Sequence, residues 1–350
     1  MTTFKPIKHF DDCRKAYGQM TRVEDTRAAA EVFRREMLAG PKVRYFQSFD
    51  LVTAPYPTRY GLRNAFSRER WVEYLHIQNR LFVIQFDTPE GLKTLLVSPS
   101  DYERNGETPF FKRLQETTPE WMVNLIVKRH STVLEILARI GLKPEDVDYI
   151  TYDHLHTQDI RRWLGSYDQK ALLPNAKLLV HKREWESTLD LNPYQADWYC
   201  PQGVAGVPDE KVICFEGSIM LGDGLALVHT PGHTEGNHSI VTHTDEGIWV
   251  TSENGISVDA YAPQFSSASG VAKYAHKLNT EVIINGNTLE NSVDQYISMV
   301  QEKTIAGTSN RDPRFPNIFP SSEMTPFWMF PGTKPSFYVG QAIHGHLTRS

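Results

Sequence analysis

Apolar residues fall along this chain in short blocks from Val43 onward, and the blocks read as strands. Residues 43–52, 80–86 and 93–97 are rich in β-branched and aromatic side chains, and a turn-like Pro89-Glu90-Gly91 joins the last two. Such spacing predicts a sheet built from hairpins. Further strands are predicted at 147–152, 176–181, 212–215, 225–229, 239–242, 247–251 and 281–284, while residues 68–79 stay open between helix and strand. Helical spacing appears at 25–37, where Gly40-Pro41 supplies the stop. Residues 119–140 read as one long amphipathic helix, capped by Thr118, ended by Gly141, and burying Trp121, Leu125, Val133, Leu134 and Leu137. Shorter helical stretches are expected at 160–164 and 183–189. Helix and strand then alternate, which predicts an α/β layer arrangement.

Composition narrows the class. The 350 residues are 40% hydrophobic and 23% charged, as in soluble globular proteins, and suffice for a large core. A formal net charge of -5 leaves no basic footprint, so no nucleic-acid partner is expected. The first residues lack the apolar core of a signal peptide, and no segment reaches the length of a membrane span. Cys13, Cys200 and Cys214 form no disulfide or zinc framework, so a reducing cytoplasm is the expected setting. Three segments are expected: a helical N-terminal extension (1–42), a main domain (43–305) and a C-terminal arm rich in proline and aromatics (306–350). Within the main domain, 190–211 reads as a long loop, a place where function often resides.

Candidate chemistry lies at predicted strand ends. Asp153-His154-Leu155-His156-Thr157-Gln158-Asp159 follows the 147–152 strand, and two histidines two apart share a side if the backbone stays extended. A second stretch, His229-Thr230-Pro231-Gly232-His233, places His233 on a tight turn. Glu253-Asn254 and Asn285-Gly286-Asn287 end two later strands. These polar residues are capable of meeting at one place, the carboxyl ends where open α/β sheets hold ligands.

The strand followed by His-x-His, the later Thr-Pro-Gly-His-Thr turn, and the hairpin sheets alternating with helices resemble the metallo-β-lactamase superfamily over roughly residues 43–300. The resemblance implies a four-layered αββα sandwich, here with N- and C-terminal extensions, and a metal site along one edge. His154, His156 and His233 match the three histidines that hold the first metal in that family. Gln158 and Asp159 stand where the family has Asp-His, Glu253 where it has its bridging Asp, and Asn287 where it has its last His. The second metal position thus keeps at most Asp159 and Glu253. One ion is expected, zinc first, with iron or manganese suited to an oxygen-rich set. Asp159 is open between metal ligand, general base and helix start; Glu253 is open between ligand, proton handling and a partner that orients an imidazole. Gln158, His238 and Asn287 are candidate pocket residues, Asn287 equally a turn residue. His229 is expected to be structural, and His344-Gly345-His346 to be part of a terminal tail.

The chemistry implied is hydrolysis, an activity of enzyme class 3. Three imidazoles and an open position suit a metal-bound hydroxide acting on an ester, lactone, amide or activated ether of a small organic molecule. The other reading is a catalytically decayed or accessory subunit of a hetero-oligomer that kept the fold. The extensions at both ends predict a homo- or hetero-oligomer. Neither nucleic acid nor membrane is expected as a partner.

Overall fold

The computed structural model describes residues 4–63, 65, 73–288, 291–329 and 331–349. Its strands, in chain order, are β1 (Lys5–Ile7), β2 (Tyr45–Pro57), β3 (Tyr74–Thr88), β4 (Gly91–Val97), β5 (Lys128–Arg129), β6 (Tyr149–Thr151), β7 (Lys177–His181), β8 (Val212–Phe215), β9 (Ser218–Gly222), β10 (Leu225–His229), β11 (His238–Thr244), β12 (Gly247–Thr251), β13 (Ser322–Thr325) and β14 (Ile343–Gly345). Four helices matter below: α1 (Gln19–Ala39), α2 (Val133–Ile140), α3 (Lys182–Leu189) and α4 (Ser292–Ala306). The mixed α/β class expected from the sequence is the class observed. Among the described residues, no helix is long and apolar enough to cross a membrane.

The chain divides into two compact units. The first comprises residues 1–43, 55–78 and 217–340. Its antiparallel sheet runs β1-β9-β10-β11-β12, with Leu225, Leu227, Val241 and Trp249 fully buried. The helix expected at 25–37 is longer at both ends and packs on α4 through Val23, Ala30, Phe33 and Met37. Arg34 caps the far end of α4 by donating to the Ile305 and Ala306 carbonyls at 2.8 and 2.6 Å. The proline-rich stretch after α4 is partly regular. It contains β13, and Phe319 donates its backbone N–H to Val250 at 2.8 Å, joining the edge of β12.

The second unit comprises residues 44–54, 79–216 and 341–350. It holds most of a sheet ordered β14-β2-β3-β4-β6-β7-β8, with β5 on β2 and β13 on β3. The β3–β4 hairpin is antiparallel, and β4, β6, β7 and β8 then run parallel. That parallel set leaves β6 flanked on both sides, with the His-x-His loop leaving its carboxyl end. Of the stretch left open at 68–79, Tyr74 onward is strand; residues 68–72 lie outside the described residues.

Three local expectations fail. The helix predicted over 119–140 is two helices, Glu120–Ile126 and α2. Between them Lys128 and Arg129 pair with Thr53 and Val52, and Thr132 with Glu135 forms a capping box that starts α2 afresh. Trp121 and Leu125 are consequently 66% and 47% exposed and Leu134 is half-buried, whereas Val133 and Leu137 are buried as expected. Thr118 ends the preceding helix, Pro109–Thr117, instead of capping the next. Gly141 does end the later helix, in the left-handed conformation at φ 82°. Residues 281–284 form no strand; Val282 to Ile284 are buried, and Ile283 makes a single backbone bond to Ala260. His344, expected in a tail, sits in β14 opposite Phe46 and is buried.

Candidate metal centre

The His-x-His loop is clasped from several sides within the second unit. Thr157 donates its backbone N–H to the Trp198 carbonyl at 2.8 Å, and Ile160 to the Gly203 carbonyl at 2.8 Å. Both acceptors belong to the stretch predicted as a long loop. Between the two histidines, Leu155 donates its N–H to Glu184 Oε1 at 2.8 Å, and the same oxygen accepts from the Tyr199 hydroxyl at 3.1 Å. Glu184 lies on α3 and is completely buried. These bonds hold His154 and His156 out of solvent with ring centroids 4.8 Å apart, edge to face. The Asp153 carboxylate lies 3.2 Å from His154 Nδ1. Burial holds the His156 imidazole well below its ordinary range, with the neighbouring His154 adding to this and a bond to Gln195 opposing it. Neutral imidazole is the form that binds a metal.

The next residues of the loop turn to other partners. Gln158 Oε1 accepts from Ser100 Oγ at 3.1 Å. Asp159 is buried, and Arg161 engages both its oxygens, at 2.9 Å from Nε and 2.6 Å from Nη2, while the Arg161 backbone N–H donates to it at 3.1 Å. All of these partners belong to Arg161, the first residue of the helix that follows. A carboxylate closed on a guanidinium by two charge-assisted bonds is already satisfied.

The other candidates belong to the first unit. His233 is buried on a turn whose backbone is fixed from behind: its N–H donates to Asn254 Oδ1 at 3.2 Å. Gly232, at φ 146°, passes so near α4 that a Cβ would lie 2.2 Å from Gln295 Cα. Asn254 donates from Nδ2 to the Thr230 carbonyl at 3.0 Å and to Glu302 Oε1 at 2.7 Å. Glu253 is half-buried; its Oε1 accepts from Ser321 Oγ at 3.0 Å, and its carbonyl from Asn285 Nδ2 at 2.6 Å. Burial and then the Glu253 charge push the Tyr56 hydroxyl up, so it stays a protonated donor. His238 is fully buried in β11, directly opposite His229, and Asn287 is buried at the Gly286 turn. His229 itself bonds the Glu235 carbonyl at 3.1 Å.

Sequence reasoning passed over Glu302 and Glu184, and named Asn254 only as a strand-end residue without a role. Glu302 had a signal: it continues the stripe Gln295, Ser298, Met299, Glu302, Ile305 that turns out to be buried. Glu184, in a helix otherwise rich in charge, had none.

No family model matches the chain. A curated N-acyl homoserine lactonase from Bacillus sp is 31% identical over 114 residues, which is 33% of this chain and 40% of that relative. One from Bacillus thuringiensis is 29% identical over 114 residues, with the same shares. The match therefore spans 40% of the length of these relatives. Among solved structures, a quorum-quenching N-acyl homoserine lactone lactonase is 18% identical, with 69% of this chain and 90% of that chain covered at a TM-score of 0.45. A hydrolase in the beta lactamase superfamily is 15% identical, with 89% and 99% covered at a TM-score of 0.49.

Proposed function

We propose that the protein is a metal-dependent hydrolase of a small lactone or related ester, in which His154, His156 and His233 hold one ion. The observation that carries this reading is the buried His154–His156 pair, edge to face at 4.8 Å and kept neutral by burial. His233, buried on its own turn, completes a group of three histidines of the kind that holds a metal. An all-imidazole set suits zinc. When bound, the ion would supply a Lewis acid for the scissile carbonyl and a water of lowered pKa.

The chain's own residues then have distinct tasks. Asp153 orients the His154 ring through Nδ1. Glu184 fixes the backbone between the two loop histidines. Trp198 and Tyr199, against the His156 ring, keep water from that side. Asp159 stands outside the ligand set because Arg161 holds it. Glu253 remains as the carboxylate that manages the proton, and Gln158 as a donor to the substrate. With Asn287 and Asp159 in place of histidines, and Gln158 in place of an Asp, the proposal is confined to one ion. The lactone class is suggested by the matched relatives, which carry that activity in their names.

The test is metal content together with hydrolysis of N-acyl homoserine lactones followed by acid release. The expected result is about one equivalent of zinc, activity removed by a chelator and restored by zinc, and at least a ~100-fold loss of kcat/KM in His233→Ala. Full activity in that variant, or in metal-free protein, would overturn the proposal.

A further inference from the structure

We propose that Glu302, buried in α4, is a positioning residue for His233, acting through the side chain of Asn254. Side-chain donors converge on its carboxylate: Asn254 Nδ2 at 2.7 Å and Ser239 Oγ at 2.8 Å on Oε1, the Tyr261 hydroxyl at 2.7 Å on Oε2, and the Ser252 hydroxyl as well. Burial pushes the Glu302 carboxyl up from its ordinary range, and these donors oppose that. Oε1 and the Thr230 carbonyl both accept, so Asn254 turns its NH2 toward them. The opposite end of the amide, Oδ1, then faces the His233 N–H at 3.2 Å. Glu302, together with the Thr230 carbonyl, thereby fixes which way the Asn254 amide points, and that orientation gives the His233 backbone its acceptor. Gln295, about two helical turns earlier on α4, closes the arrangement by donating to the Asn254 carbonyl at 2.8 Å. One helix face thus sets the backbone of the turn that presents the third imidazole. Only the metal-affinity arm of the test rests on the hydrolase reading.

Asn254→Ala, Glu302→Ala and the double variant are compared with wild type in two measurements. Hydrogen exchange of metal-free protein reads the turn 230–238. Competition with a chelator reads zinc affinity, and the visible spectrum of the cobalt-loaded protein reports ligand geometry. Each single variant is expected to speed exchange at the turn about tenfold or more and to weaken zinc about 10- to 100-fold, with an altered cobalt spectrum. The double variant is expected to lose no more than the worse single one, because both residues act in one relay. Wild-type exchange at the turn in a folded single variant, or losses that add in the double, would overturn the inference. If Glu302→Ala does not fold, Asn254→Ala alone decides it. If wild type takes up neither zinc nor cobalt, the hydrolase reading falls, and the exchange measurement still decides the relay.

Discussion

Burial settles the protonation state of His156 before any ligand arrives. Its imidazole is neutral in the folded chain, whereas the unfolded chain takes up a proton there below about pH 6.5. Between the depressed folded value and that ordinary value, the unfolded state binds more protons, so stability rises with pH and is lost as pH falls. Metal-free protein should therefore melt at progressively lower temperature from pH 7 to pH 5, by up to about 1.4 kcal/mol of stability per pH unit from this group. His156→Gln should flatten the profile, and calorimetry at several pH values checks both. At this scale the three histidines were legible from residue type and spacing. The engagement of Asp159 was not, because whether a carboxylate meets an ion or the Arg161 guanidinium depends on which way the first turn of the next helix carries that arginine.

At the scale of elements, the short turns are more demanding than the helices and strands they join. Gly232 combines a left-handed φ of 146° with a close pass over Gln295, where a Cβ would lie 2.2 Å from Cα. Gly232→Ala is expected to cost about 3 kcal/mol or more and to lower metal affinity, since either the turn or α4 must shift. Denaturant unfolding with a metal titration measures both; near-neutral behaviour would contradict the packing described. The Pro-Gly-His turn was readable in the sequence, but its dependence on α4, some sixty residues later, was not. The split of the predicted 119–140 helix has a similar origin. Its apolar spacing lapses over Lys128-Arg129-His130-Ser131-Thr132, and there Lys128 and Arg129 pair with β2. The Thr132–Glu135 capping box was present in the sequence and is the signal that marked the restart.

At the scale of the whole molecule, the N-terminal residues belong to the core of the first unit. Helix α1 buries Val23, Phe33 and Met37, and β1 extends the five-stranded sheet. Three such side chains are worth about 1.5–3 kcal/mol each, comparable in sum with the net stability of a typical domain, about 5–15 kcal/mol. Deleting residues 1–40 should therefore abolish cooperative melting of the first unit and expose the α4 face to an apolar dye. A truncated chain with the wild-type melting profile would show that α1 is dispensable. Helical spacing at 25–37 announced the helix, but its partner is the last long helix of the same unit, a pairing no local pattern specifies.

The sequence by itself determined the α/β class, most strand positions, and the buried imidazoles at the carboxyl end of β6 and on the Pro-Gly-His turn. Each follows from periodicity or from residue type next to a turn, which are local properties of the chain. Only the tertiary structure decided that Asp159 serves Arg161, that Glu184 pins Leu155, and that Glu302 reaches the His233 turn through Asn254. Each of these is a buried carboxylate whose role is set by the donors that surround it. Two of the sets come from distant parts of the chain, and a carboxylate looks the same in sequence whether it meets water, an arginine or a backbone N–H.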